Sequence, residues 1–134
     1  VKLAKAERGS ARAHADANAT ADAERSVGAA QAERRLLDQH IVWLRAEVSA
    51  AEAREEEANA EAWAAEADYE LARARLIASD RPPGDAHLQA FVKQAESCHE
   101  RYEDARHRHA QRRAEADAEA FSWRQARDAA LQPA

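Results

Sequence analysis

Two short spacings in the second half of the chain have the residue types for metal chemistry. Glu96-x-x-His99 and Asp104-x-x-His107 each set a carboxylate and an imidazole about one helical turn apart. Ferritin-like di-iron bundles hold metal with that spacing, but they also need carboxylates converging from facing helices in a core that excludes water. In the heptad frame set out below, His99 falls at e and His107 at f, at the rim and on the outside. Both therefore read as solvated histidines on an arginine-rich face, and no metal site is expected. Cys98 falls at a d position opposite alanine and reads as a small buried hydrophobe. A nucleophile there would need an activating base and a pocket, and two packed helices form no pocket. None of the serines lies in a nucleophile-elbow context, and no glycine loop is built to cradle phosphate. The expectation is a chain without catalytic or cofactor-binding residues, which is not an enzyme.

The run His107-Arg108-His109-Ala110-Gln111-Arg112-Arg113 has the charge of a nucleic-acid patch. It lacks interleaved aromatics, and the chain as a whole carries a formal net charge of -5, so nucleic acid is not the expected partner. An acidic run, Glu52, Glu55, Glu56, Glu57 and Glu61, offers an intramolecular counterpart.

The elements that position these residues are organised around Asp80-Arg81-Pro82-Pro83-Gly84-Asp85. Two consecutive prolines remove two backbone donors and clash with a preceding helical turn. Gly84 permits a sharp reversal, and Asp85 suits an N-cap. On either side the chain reads as helix. Of its 134 residues, 46% are hydrophobic, mostly alanine, 34% are charged and only 5% are aromatic. With a mean hydropathy of -0.79, this is the composition of long helices and coiled coils rather than of a compact globule. The prediction is an all-α, long antiparallel two-helix coiled-coil hairpin forming one domain over residues 1–134. Its helices cover about 2–78 and about 86–131, joined by a turn at 79–85.

With Val27 at a, one heptad register runs to Leu76. Its a positions include Ile41, Val48, Tyr69 and Leu76, and its d positions include Leu37, Leu44 and five alanines. Arg34 and Glu55 are its polar breaks. Beyond the turn a second register starts with Leu88 at a and Phe91 at d, and runs through Cys98, Tyr102, His109 and Trp123. Leu76 placed beside Leu88 sets levels at which residue numbers sum to about 164. Large residues then meet small ones, the acidic run meets the arginines, and Glu55 comes level with His109 as a polar layer in the seam. Residues 1–30 alternate alanine with polar residues and have little bulk to pack, so they read as helix with kinks or fraying near Gly9 and Gly28. That arm overhangs the second helix as a frayed segment or a docking arm.

In the Val27 frame, Leu36, Trp43 and Leu71 fall at c, and Val42, Trp63 and Ile77 at b. Phe121 points outward from the second helix. Apolar bulk at related outward positions predicts a protein-binding surface formed by Leu36, Val42, Trp43, Trp63, Leu71 and Phe121. The occupant is a protein partner or a second copy, giving a homo-oligomer.

The single cysteine excludes an internal disulfide and fits a reducing compartment. No apolar run is long enough to span a membrane, and no signal-peptide core opens the chain. A cytoplasmic location is the expectation. The chain begins at Val1 and contains no methionine, which suits either a processed start or a piece of something longer.

The size, the alanine- and arginine-rich composition, and the turn Arg81-Pro82-Pro83-Gly84 followed by Leu88-Gln89-Ala90-Phe91 carry a family resemblance. From roughly Val27 to Leu131 the chain resembles the central stalk proteins of type III secretion systems, the FliJ/YscO-like coiled-coil hairpins. That resemblance implies a bacterial, non-enzymatic stalk for protein transport, coupling a hexameric export ATPase to the export gate. The family has no diagnostic motif, so no functional residue is carried over. Two other readings stand beside it: a structural coiled-coil spacer of a larger protein, and a self-associating helical bundle.

Overall fold

The computed structural model describes residues 2–79 and 86–132, with side chains from Glu7 onward. Two helices carry them: α1, Lys2–Ala78, and α2, Ala86–Leu131. No strand occurs among the described residues, and the two helices pack along each other as an all-α hairpin. The turn residues 80–85, with Pro82, Pro83 and the Asp85 cap, lie outside the described residues, as does Pro133.

Alanine, arginine and glutamate supply the helix propensity of α1, whose 77 residues extend about 115 Å at 1.5 Å per residue. The helix passes through Gly9 and Gly28 without a break. At its end, the Ser79 backbone N–H donates to the Arg75 carbonyl at 3.0 Å and the Ser79 hydroxyl to the Leu76 carbonyl at 2.7 Å. These bonds occupy carbonyls that a helix end otherwise leaves open.

Side-chain pairs between the helices run in opposite numerical order. Asp68 meets His99, Glu57 meets His109, Glu56 meets Arg108, Glu47 meets Arg113, and Gln39 meets Glu119. The packing is therefore antiparallel. Its axial levels lie close to those set by pairing Leu76 with Leu88.

The face that α1 turns to α2 is not the Val27 frame. The inward heptad of α1 runs through Leu36, Trp43, Ala50, Glu57, Ala64 and Leu71, and through Gln39, Ala46, Ala53, Ala60, Ala67 and Ala74, all buried or half-buried. This is an unbroken heptad shifted by two residues from the expected one, a rotation of about 200° at 3.6 residues per turn. Val48, Tyr69 and Leu76 are instead 58%, 66% and 74% exposed. The physical reason lies in α2. Its inner face carries Leu88, Phe91, Val92 and Tyr102, and these pack on a cluster of Ala64, Ala67, Leu71, Ala95 and Cys98. Bulk on one helix is accommodated by alanine on the other, which lets the backbones approach. The chosen face of α1 also carries one charged core position, Glu57, against Arg34 and Glu55 in the alternative.

On α2 the expected frame holds from Leu88 to His109 and then shifts. The buried stripe continues through Arg113, Ala116, Ala120, Trp123 and Arg127, while Arg112 and Ala126, expected at d, are exposed. A four-residue step after His109 is a stutter, which locally unwinds the left-handed supercoil.

Burial on α1 begins at Leu36; before it, from Glu7, only Ala21 is even half-buried. The first part of α1 thus projects past the end of α2 as a single helix of about 50 Å. Within the hairpin, the buried apolar residues are nine alanines, Leu71 and Cys98. Each alanine removes little area from water, so the core is extended and thin.

Candidate interaction surface

Of the two spacings that suggested metal chemistry, the first has its histidine in a surface pair with the facing helix. The His99 Nε2 lies 2.8 Å and 2.9 Å from the two Asp68 carboxylate oxygens, with both side chains about half exposed. Among the described residues, no group of three histidines, cysteines or carboxylates converges as a metal site. Cys98 is a free, buried thiol packed among alanines.

The polar layer forms with a different carboxylate. His109 Nδ1 pairs with Glu57, both side chains being only partly exposed, whereas Glu55 stands in solvent on the far face. The two-residue shift of the α1 face accounts for the exchange. The basic run around His109 is engaged with the acidic run: Arg108 Nε lies 3.7 Å from Glu56, and Arg113 reaches Glu47.

The best-defined cluster lies where α2 ends along α1. The rings of Trp43 and Trp123 stack with centroids 5.1 Å apart, and His40 stacks on Trp123 at 4.7 Å. The Arg127 guanidinium sits over the Trp123 ring, 4.8 Å from its centroid. Trp43 Nε1 donates to Glu47 Oε1 at 3.1 Å. Glu47 in turn accepts from Arg113 through two guanidinium nitrogens, at 2.9 Å and 2.6 Å. Arg113, followed by Trp43, holds the Glu47 carboxyl below the usual carboxylate range, and partial desolvation opposes them. The same bond to Glu47, with a second to Asp117, raises the Arg113 guanidinium further above its ordinary value. Trp123 Nε1 is buried without a hydrogen-bond partner. The planar, bidentate fork of arginine makes this a structural clasp.

The expected binding residues divide accordingly. Leu71 is 9% exposed in the hairpin core, and Leu36 and Trp43 are half-buried against α2. These three sit in the intramolecular interface because c positions of the Val27 frame are the inner face. Val42, Trp63 and Phe121 do stand outside, at 43%, 55% and 60% exposure.

The apolar stripe expected in the hairpin interior lies outermost. Val27, Leu37, Ile41, Leu44, Val48, Tyr69 and Leu76 are all exposed. They keep their heptad spacing, interspersed with Ala51, Ala58, Ala62, Ala65 and Ala72. One helix therefore bears two coiled-coil stripes on nearly opposite sides, and α2 covers one of them.

No family model, curated protein or solved structure matches the chain. No helix among the described residues is long and apolar enough to cross a membrane.

Proposed function

We propose that the chain is a non-enzymatic coiled-coil module, a rod that spaces and joins proteins through helical contacts. The observation that carries this reading is the second apolar stripe of α1, Val27 to Leu76, which continues for about 75 Å with its large side chains exposed among the described residues. Stripes of this period and length are what partner helices pack into. The extended form is tested by small-angle X-ray scattering on dilute protein. A rod of the length of α1 has a radius of gyration of about 30 Å or more, against about 14 Å for a compact domain of this size. A value near the compact one would overturn the rod.

A second reading, the central stalk of a type III secretion system, is favoured by the unequal helices, which leave the start of α1 projecting beyond α2. A cytoplasmic setting, a hexameric ATPase and an export-gate component as partners belong to that reading. Its test is whether the purified chain binds a purified secretion ATPase hexamer and changes its hydrolysis rate. Absence of both effects counts against the stalk and leaves the rod intact.

A further inference from the structure

We infer that the outer stripe of α1 is covered by the same stripe of a second copy of this chain, running antiparallel to it. The inference rests on reading that stripe as a contact surface, and the sequence of the stripe specifies both occupant and direction.

Direction follows first from residue size. In the Val27 frame the large side chains stand mainly at a, namely Val27, Ile41, Val48, Tyr69 and Leu76. The d positions are alanine except for Leu37 and Leu44. Parallel pairing sets a against a and d against d. It would place Arg34 on Arg34 and Glu55 on Glu55 in the middle of the seam, and stack alanine on alanine between bulky layers. Antiparallel pairing sets a against d. With the two-fold axis close to Ser49, Ile41 falls level with Ala58 of the second copy, Val48 with Ala51, Val27 with Ala72, and Tyr69 with Ala30. Every bulky a residue then meets an alanine, the same complementarity that joins α1 to α2.

Charge makes the same choice. Parallel pairing brings each g residue near the e residue five further on, which sets Glu33 to Asp38, Glu47 to Glu52 and Glu61 to Glu66, three like-charge pairs against one attractive pair, Asp68 to Arg73. In the antiparallel arrangement the e flank faces itself. Arg45 comes level with Glu52 of the second copy, and Glu24 with Arg73, and two-fold symmetry makes each pair twice. Arg45, Glu52, Glu24 and Arg73 are exposed. The g flank lies nearer α2, where Glu47 and Asp68 are already paired with Arg113 and His99. The free charges are thus on the side that complements itself.

Burial supplies the driving force. A core of nine alanines, one leucine and one cysteine is thin for a chain of this length, and covering the outer stripe adds about 80 Å of facing helix. The overlap reaches back to residue 23, so the second copy also shields Val27 on the otherwise single-stranded part of α1.

The experiment is sedimentation velocity on the full chain at micromolar concentrations, with circular dichroism melting of the same samples. The parent is expected as a dimer. Ile41→Glu with Val48→Glu is expected to give a monomer of unchanged helicity, because it adds two more unpaired carboxylates per chain to a seam that already holds Glu55. Arg45→Glu should weaken the dimer about tenfold, and adding Glu52→Arg should restore it. Orientation is read by disulfide formation in a Cys98→Ser background. Chains carrying Ile41→Cys mixed with chains carrying Ala58→Cys should crosslink, while Ile41→Cys alone should not. A parent that stays monomeric with the hairpin intact overturns the second copy as occupant but not the exposed stripe. Ready crosslinking of Ile41→Cys to itself overturns the antiparallel arrangement. Loss of the hairpin in the double glutamate variant shows the stripe to be interior, and both readings fall together.

Discussion

Trp43 on α1 and Trp123 on α2 stack across the hairpin with ring centroids 5.1 Å apart, some eighty residues distant in sequence. The pair is a bulky contact in an interface rich in alanine, and three polar side chains hold it in place. Arg127 covers Trp123, while Glu47 accepts from Trp43 and is itself clamped by Arg113. Aromatic pairs of this offset geometry add to their area burial.

Truncating Trp43 to alanine is therefore expected to destabilise the hairpin by about 2 kcal/mol, less than a fully buried tryptophan because the ring is half exposed. Phe121→Ala, on the outside of α2, should change stability by less than about 0.5 kcal/mol. Urea melts of the two variants, compared with the parent at one protein concentration, check the contrast. Equal losses at both positions would show that the stack contributes nothing beyond ordinary helix surface.

Acid should loosen the same clasp. The folded-state pKa of Glu47 is depressed below its ordinary value of 4.5 by the bonds from Arg113 and Trp43. A depressed carboxyl contributes stability that is present above its unfolded pKa and is lost as pH falls through the folded one. The urea midpoint should thus decline from about pH 4.5 downward. Glu47→Gln should be less stable than the parent at neutral pH and should lose less on acidification. A variant that tracks the parent at every pH would dismiss the clasp.

The Glu57–His109 layer makes a third case. Replacing Glu57 alone with leucine leaves His109 against an apolar neighbour and should cost about 1 kcal/mol. Replacing both with leucine should give a hairpin at least as stable as the parent, since a well-packed apolar pair competes well with a half-buried polar one. Glu55→Leu should leave the α1–α2 contact unchanged and strengthen association through the outer stripe. Thermal melts across a dilution series separate the two effects, because only the association depends on concentration.

Much of the architecture was legible in the residues. Alanine and charge content specify helix, and opposite-sign runs, with Glu56 near Arg108 and Glu57 near His109, specify which levels of the two helices meet. The inner face of α1 was not legible by bulk. Ile41, Val48, Tyr69 and Leu76 outweigh the true inner face, whose heptad is largely alanine, so a count of large residues selects the wrong stripe. The deciding physics is mutual: α2 brings Phe91 and Tyr102, which need small partners close to the opposite backbone, and Trp123, which needs Trp43 to stack on. The stutter is not legible for a related reason. Strict heptads place Arg112 and Ala126 inside, whereas Arg113 and Arg127 turn inward because Glu47 and Trp123 give them something to bind.

The alanine seam also bears on how the helices know where to stop along each other. The row Ala46, Ala53, Ala60, Ala67 and Ala74 is nearly interchangeable, so a slide of seven residues replaces alanine with alanine along most of it. That row alone would accept several such positions. The marks that tell them apart are few and polar or aromatic. Moving α1 by one heptad would set Arg54 rather than Glu47 before Arg113, Arg75 rather than Asp68 before His99, and Ala50 rather than Trp43 before Trp123. The hairpin is in this sense a smooth ruler with a handful of engraved lines, and its alignment is recorded in those lines rather than in the material between them.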